Sequence, residues 1–576
     1  MKLLDYIARI VITTGLWVAG VFPFLRRWMV PVRAVVTRLL YKRPAGDYLK
    51  HLSSIRYKSP HVVLVQAPGW GVDTPPLAIA CLTAFLRANG IKVMPVDINV
   101  EMYNKNKHQY PDGWSNNVFW FWDNPSTLDA FINDNKEALE QYIELIANSG
   151  ARIIGFTIFD SSYRMSAYMA REIKKRNPAL TVVFGGAGAS GRITGRSIIK
   201  ENDSIDFVVE GEGEETFLEI VKLVNDGKDI VECKGATFKC GNAIVPVAPR
   251  AFIKNLDTLP FPDFTDFNFF RYREPFKCPI ESCRGCINKC VFCNERAFWG
   301  GYRFRSGNSL YDEMRYQIEK HPHISYFEFH DSLINGNITE IERLCDNIIR
   351  DRLNVFWGGQ AVVRKEMTYE LLVKFKKAGC VSLAYGLEST SKPLLKKVGK
   401  IFTAASDIDR LVRDSYRAGV GCGLNFMFGL PGETDDDAEE NINFIRRNAK
   451  YIYAINPSSA FCLIHPGTAA YAEPENYRID ISKGASYWES SDGKNNYLKR
   501  LERFERFVSE VQRLKIPCVY PYPRLLNHSE LIADYYYHIG EYGKAIPYYK
   551  ESIEKESETK EKIEKLNHCY ELVPKN

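Results

Sequence analysis

Beyond its first 43 residues this sequence has almost no net charge. The 576-residue chain carries 76 Lys and Arg against 70 Asp and Glu, a balance of +6. Residues 1–43 hold eight basic residues and one acid, Asp5, which is +7 and leaves the remainder at −1. A near-neutral body argues against a broad nucleic-acid groove and places the positive charge in an N-terminal segment. Histidine is absent from Val62 to Lys107. An evenly spaced cysteine framework is also missing. Of fourteen cysteines, nine are scattered and five fall between Cys278 and Cys293. That distribution excludes a secreted disulfide scaffold and reads as metal ligation by thiols in a reducing cytoplasm.

The uncharged run Ile10–Leu25 covers sixteen residues and is interrupted by Pro23, whereas a membrane span needs about 20. Arg33, Arg38, Lys42 and Arg43 then interleave with apolar residues. Residues 1–54 are therefore expected to form a helical segment, either lying peripherally on an anionic membrane surface or packing on the protein's own body. Composition is that of a folded protein, 45% hydrophobic and 25% charged, and the length allows about three or four domains.

From His61 short apolar runs alternate with helical stretches. VVLVQAP, IKVMPVDIN, ARIIGFTIF, LTVVFGG and IDFVVEGEGEE read as strands, with helices such as LAIACLTAFLRANG between them. Residues 55–250 are expected to form a doubly wound, Rossmann-like α/β domain with a ligand crevice at the strand C-termini. The aromatic insertion GWSNNVFWFW is expected either to lid a site or to fill a gap. NLDTLPFPDF lies in a linker, 251–275. A second alternation follows over residues 276–470 (SYFEFHDS, NVFWGGQAV, VSLAYGLES, GCGLNFMFGLPGET, YAINPSSAFCLIHPGT), predicting a full or partial α/β barrel. Residues 471–576 read as a small helical domain whose tail, from Ser529, resembles one tetratricopeptide unit, packed as a cap or open to a protein partner.

The chemistry concentrates in Cys278-PIES-Cys283-RG-Cys286-INK-Cys290-VF-Cys293. Two C-x2-C pairs suggest zinc, but they are separated by three residues, too few for two knuckles to face each other. The alternative is C-x3-C-x2-C at Cys286, Cys290 and Cys293, where a compact loop ligates three irons of a cubane and leaves the fourth open to substrate chemistry. Cys278 and Cys283 then stand outside the ligand set as buried thiols.

GCINKCVFC, with Phe292 before the last cysteine, resembles the signature loop of the radical S-adenosylmethionine (SAM) superfamily. The resemblance implies a [4Fe-4S] cluster whose open iron chelates SAM. It also implies SAM contacts from Asp331, Arg364, Gly386, Glu388 and Ser389 of GLES, and from the backbone of Gly429 and Leu430 in FMFGLPGET. Residues 55–250 resemble the cobalamin-binding domain of one branch of that superfamily, IDFVVEGEGEETF most closely. This implies corrinoid contacts from Pro68, Gly69, Trp70, Thr157, Gly185, Gly186, Gly188, Glu210, Gly211 and Gly213. The D-x-H-x-x-G cobalt-ligating loop of many cobalamin proteins is absent, the corresponding loop reading APGWGVDTPP. The expected activity is methylation of an unactivated carbon in a small-molecule or lipid-like substrate, served by an electron donor such as flavodoxin or ferredoxin. A cyclase or rearrangement enzyme of the same architecture, and a cluster-bearing sensor or partner-binding protein, remain open. A methylthiotransferase is disfavoured, because before residue 233 only Cys81 is available for a further cluster.

Overall fold

The computed structural model describes residues 37, 48–54, 57–115, 118–189, 194–227, 232–241, 243–400, 405–458, 461–518, 528–555 and 560–573. The charged N-terminal segment thus lies almost wholly outside the described residues. Among them, no helix is long and apolar enough to cross a membrane. The chain divides into two compact units. One comprises Met1–Ile287, Asn294–Ala361 and Val373–Ser382; the other comprises Asn288–Cys293, Val362–Leu372 and Leu383–Asn576.

In the first unit, β1 (Val62–Gln66), β2 (Val93–Asp97), β3 (Ile153–Thr157), β4 (Thr181–Gly185) and β5 (Phe207–Val209) pair in parallel in the order β2-β1-β3-β4-β5. Every residue of β1 and β2 is buried, as expected of strands covered on both faces. Helices α1 (Leu77–Ala88), α2 (Ile98–Asn106), α3 (Tyr163–Arg176), α4 (Gly195–Glu201) and α5 (Glu214–Asp226) accompany the strands. Where α5 packs on the sheet, a side chain at Gly155 would meet Phe217 and Leu64 at 2.9 Å, so glycine in β3 admits the helix. The strand order reverses between β1 and β3, which places the crevice at the loops after those two strands.

Two features depart from expectation. The sheet is not wholly parallel: β6 (Ala236–Cys240) and β7 (Ala243–Val245) add an antiparallel hairpin beside β5, because the two short strands leave no room for a crossover helix. The stretch expected to act as a linker is packed. Arg87 binds Asp263 at 2.5 Å and Asp266 at 2.6 Å, the Asp263 N–H donates to Ala80, and Phe264, Phe269 and Tyr272 are buried. The aromatic insertion fills a gap: Trp122 is fully buried beside Trp114 and Phe131.

The second sheet has the order β13-β12-β11-β10-β9-β8, from β8 (Lys277–Ile280), β9 (Tyr326–Phe329), β10 (Phe356–Ala361), β11 (Cys380–Glu388), β12 (Gly421–Phe426) and β13 (Ala454–Pro457). This is the partial form of a barrel. The pairs β8–β9, β9–β10 and β12–β13 are parallel. The unit boundary falls inside β11, after Ser382. The second unit also contains α6 (Lys392–Lys397), α7 (Asp435–Asn448), α8 (Ala469–Ala472) and α9 (Tyr497–Arg513). The tail hairpin α10 (His528–His538) and α11 (Tyr542–Lys555) turns at Gly540, φ 77°. A further helix, α12 (Lys560–Leu572), places Cys569 in one core with Ala533, Ala545 and Tyr549.

Candidate functional site

The cysteine loop leaves β8 and is anchored from its first residues. Both Asp331 carboxylate oxygens accept the Ser282 N–H at 2.8 Å, and the Ser282 hydroxyl donates to the same group. Burial raises the Asp331 carboxyl well above its ordinary range. Arg284, almost wholly buried, donates to Glu212 at 2.6 Å, Glu214 at 2.5 Å and Glu281 at 3.0 Å, with Trp299 beneath its guanidinium. Arg303 shares Glu212 at 2.7 Å. The residue between Arg284 and Cys286 must be glycine: Gly285 has φ 81°, and a Cβ would stand 2.2 Å from the Gly301 carbonyl oxygen.

Farther along, in the second unit, the Val291 N–H donates to Val398 at 3.0 Å and the Val291 carbonyl accepts from Ala470 at 2.9 Å, while Cys293 N–H turns back to Cys290 at 3.1 Å. Cys286, Cys290 and Cys293 are partly exposed. Cys278 and Cys283 are buried, their thiols pushed upward by that burial, and Cys283 donates to the Leu333 carbonyl at 2.9 Å. Two buried neutral thiols thus precede three part-exposed ones along the chain, and only the latter suit ligation as thiolates. Among the described residues no three His, Cys, Asp or Glu side chains gather as the ligands of a single ion. A cubane instead spreads three thiolates over three irons, and the donor set fits it.

The GLES and FMFGLPGET strand ends belong to the second unit. Glu388 has φ 65°, in the left-handed region that a non-glycine residue seldom adopts. Its carboxylate accepts from Lys400 Nζ at 2.8 Å, and its carbonyl accepts from Met427 N–H at 3.0 Å. Gly386 makes room for this pair, since a Cβ there would lie 3.1 Å from Glu388 Oε1 and 3.4 Å from Lys400 Nζ. Arg364 sits beside Glu366 at 3.3 Å, and Phe292 packs against the core containing Val291, Leu430 and Trp488.

Several expected SAM contacts are already engaged. Asp331 is held by Ser282. Ser389 is fully buried and donates to Asn441 at 3.2 Å. The Gly429 N–H donates to Glu433 at 2.6 Å, and the Leu430 carbonyl accepts from Asn495 at 3.0 Å. These groups are buried, where every polar atom must find a partner inside the protein, so they shape the strand ends. Lys400, Asn441 and Glu433 escaped notice in the sequence because each acts through a contact that only folding creates.

The strand ends of the first unit are arranged differently. Asn99 holds the loop after β1: its Oδ1 accepts from Gly69 N–H at 3.2 Å and Trp114 Nε1 at 2.8 Å, and its amide donates to Trp70 at 3.1 Å. Ser161 donates to the Gly69 carbonyl at 2.5 Å, and a Cβ at Gly69, φ 115°, would stand 2.7 Å from the Ser161 oxygen. Trp70 stacks on Phe159 with ring centroids 3.4 Å apart, yet remains 39% exposed. Pro68 is buried.

At the end of β3, Thr157 Oγ1 is buried with no hydrogen-bond partner. Gly186, φ 100°, would place a Cβ 2.9 Å from that hydroxyl, and Gly188 would place one 2.9 Å from Phe159 backbone. Beside them Gly185 ends β4, Gly211 has φ 83° and Gly213 caps α5. Glu210 accepts from Thr237 at 2.7 Å, and burial raises its carboxyl. Gly186 and Gly188 let the backbone pack closely here and leave the buried Thr157 hydroxyl unpaired, a donor for a ligand's acceptor, which fits a corrinoid. A polar cleft of about 480 Å³, lined by Glu101, Lys105, Glu137, Gln141 and Arg271 among others, contains none of the site residues.

Residues 280–445 match the radical SAM superfamily and residues 125–221 the B12 binding domain. An uncharacterized methyltransferase of Pyrococcus horikoshii is 27% identical over 51% of this chain and 64% of that protein. The anaerobic magnesium-protoporphyrin IX monomethyl ester cyclase of Rubrivivax gelatinosus is 26% identical over 55% of this chain and 58% of its own length. The chain therefore spans about three fifths of these curated relatives. The structure of the radical SAM methyltransferase TsrM from Kitasatospora setae, with cobalamin and a [4Fe-4S] cluster bound, superimposes with a TM-score of 0.58 at 17% identity, covering 89% of this chain and 99% of that one. At that identity the likeness is one of fold.

Proposed function

We propose that this chain, a B12 binding domain joined to a radical SAM domain, is a cobalamin-dependent radical SAM methyltransferase acting on an unactivated carbon of a small-molecule substrate. The observation that carries the reading is the contrast along one loop: three part-exposed thiols, Cys286, Cys290 and Cys293, beside two buried neutral ones. Bound there and in the B12 domain, a [4Fe-4S] cluster supplies reductive cleavage of SAM, and cobalamin supplies methyl carriage.

The chain's own residues do the positioning. Cys286, Cys290 and Cys293 hold the cluster, while Asp331 and Arg284 fix the start of its loop. Glu388, oriented by Lys400, accepts from the ribose hydroxyls of SAM. Thr157 would donate to the corrinoid, and Gly185, Gly186 and Gly188 would line its site. Trp70, held by Asn99 and stacked on Phe159, would line the same site. The enzyme works in the cytoplasm with a one-electron donor protein.

Anaerobic reconstitution with iron, sulfide and cobalamin tests the assignment. Cluster and corrinoid absorbance are both expected, and turnover is expected to yield 5′-deoxyadenosine together with S-adenosylhomocysteine. Cys286→Ala should abolish the cluster spectrum and deoxyadenosine formation, whereas Cys283→Ala should retain both; the reverse pattern refutes the ligand set. The likeness to the Rubrivivax cyclase favours ring formation as a second reading. Deoxyadenosine without S-adenosylhomocysteine would select it.

A further inference from the structure

Lysines without ion-pair partners gather around the segment that carries Cys290 and Cys293. Within the second unit that segment runs against the C-terminal end of α6: Val291 N–H bonds the Val398 carbonyl at 3.0 Å, and a Cβ at Gly399 would stand 2.5 Å from the Lys289 carbonyl oxygen. Lys289, Lys392, Lys396 and Lys397 are all exposed. None has a carboxylate partner among the ion pairs of the described residues. Helix α6, KPLLKK, has no acid of its own.

The other element clamping this segment is α8, whose Ala470 bonds Val291. The acid that follows it, Glu473, accepts from Asn476 at 2.6 Å. Lys392 and Lys396 are four residues apart on one helix face, where like charges repel. The underside of α6 is satisfied by apolar contacts, with Leu394 and Val398 in the core beside Val291. The exposed charges make no ion pair among the described residues, and they lie on Lys289 and on the helix whose C-terminal end runs against the segment carrying Cys290 and Cys293.

The proposed reaction requires one electron at the cluster for each SAM cleaved, and that electron originates outside the chain. We infer that Lys289, Lys392, Lys396 and Lys397 form the docking surface of an acidic one-electron carrier protein of the flavodoxin or ferredoxin kind. The inference rests on the reading of Cys286, Cys290 and Cys293 as cluster ligands. In the step itself the carrier loses one electron and the cluster gains one, with no bond formed or broken. Complementary charge at such a surface accelerates encounter and is screened by salt.

The test uses the full chain with its cluster reconstituted, and follows cluster bleaching by stopped flow. Two reductants are compared: photoreduced flavodoxin hydroquinone and titanium(III) citrate. With flavodoxin the wild-type rate should fall steeply as NaCl rises. The triple variant Lys392→Glu, Lys396→Glu, Lys397→Glu should be slower by about tenfold or more at low salt and nearly insensitive to it, since steering changes association rates over several decades. The neutral Lys→Gln triple should lie between. Titanium(III) citrate should reduce all three proteins equally.

Flavodoxin rates equal in wild type and both variants would overturn the proposal. So would an equal loss with titanium(III) citrate, which would assign the lysines to the integrity of the loop. Salt-sensitive binding to anionic vesicles, with flavodoxin reduction unchanged in the variants, would assign the surface to a membrane instead. A wild-type chain that holds no reducible cluster with either reductant would refute the cysteine reading itself.

Discussion

At the ends of β3 and β4 glycine lets the backbone close up and leaves one buried donor unpaired, whereas at the ends of β11 and β12 the polar groups are paired with one another. Around Thr157 the loops are shaped by missing atoms: Gly186 and Gly188 approach backbone so closely that no side chain fits, and the hydroxyl they flank has no partner. Around Glu388 the polar groups are tied: Lys400 to its carboxylate, Asn441 to Ser389 and Thr390, Glu433 to Gly429 and Arg503. The first design suits a large rigid ligand whose own atoms complete the surface. The second suits a ligand gripped by a few groups set in place beforehand, because orientation fixed before binding need not be established during reaction.

The largest effect should come from unlocking the tied region. Lys400→Met leaves the Glu388 carboxylate in a largely buried position without its cation, which costs roughly 3 kcal/mol or more. We expect about a hundredfold loss in kcat/KM for SAM cleavage, measured as 5′-deoxyadenosine, with corrinoid retention unaltered. A change below twofold would mean that Glu388 is not oriented by Lys400.

Disturbing the glycine-packed region should have a smaller and opposite signature. In Gly186→Ala the added methyl would stand 2.9 Å from Thr157 Oγ1 at φ 100°, a strain on the order of 1–3 kcal/mol. Cobalamin affinity by equilibrium dialysis should fall about tenfold or more, while the cluster absorbance stays at its wild-type value. Equal loss of both cofactors would erase the distinction between the regions.

The mildest change discriminates most finely. Thr157→Val replaces an unsatisfied buried hydroxyl by a methyl of similar shape, so the corrinoid-free protein should gain up to about 1 kcal/mol in urea unfolding. Cobalamin retention should drop a few-fold. Stability gained with retention unchanged would show that the hydroxyl never meets the ligand.

Much of this arrangement was legible in the residue order, because alternating strands and helices are local patterns. Runs such as VVLVQ and IIGFT mark buried strands, and the positions where loops must turn are marked by glycine. The cysteine triad was legible for the same reason, its spacing lying within eight residues. What escaped depends on distant partners. Lys400 lies twelve residues beyond Glu388 amid a run of lysines, and its burial distinguishes it from Lys396 and Lys397 only after folding. Asp331 and Ser389 were expected from the family resemblance, but their partners, Ser282 and Asn441, were not apparent, so their engagement was missed. The stretch NLDTLPFPDF has the prolines of a tether; its Asp263 meets Arg87, 176 residues earlier in the chain.

That last contact governs how the protein can be divided. A fragment ending near residue 250 would contain every strand of the first sheet, yet it would strip Arg87 of Asp263 and Asp266, Tyr57 of Asp266, Asp97 of Tyr272 and Glu101 of Arg271. Four polar groups would each lose a partner supplied by the strap. An excised cobalamin module should therefore be cut after Arg273, so that the strap travels with the sheet it fastens.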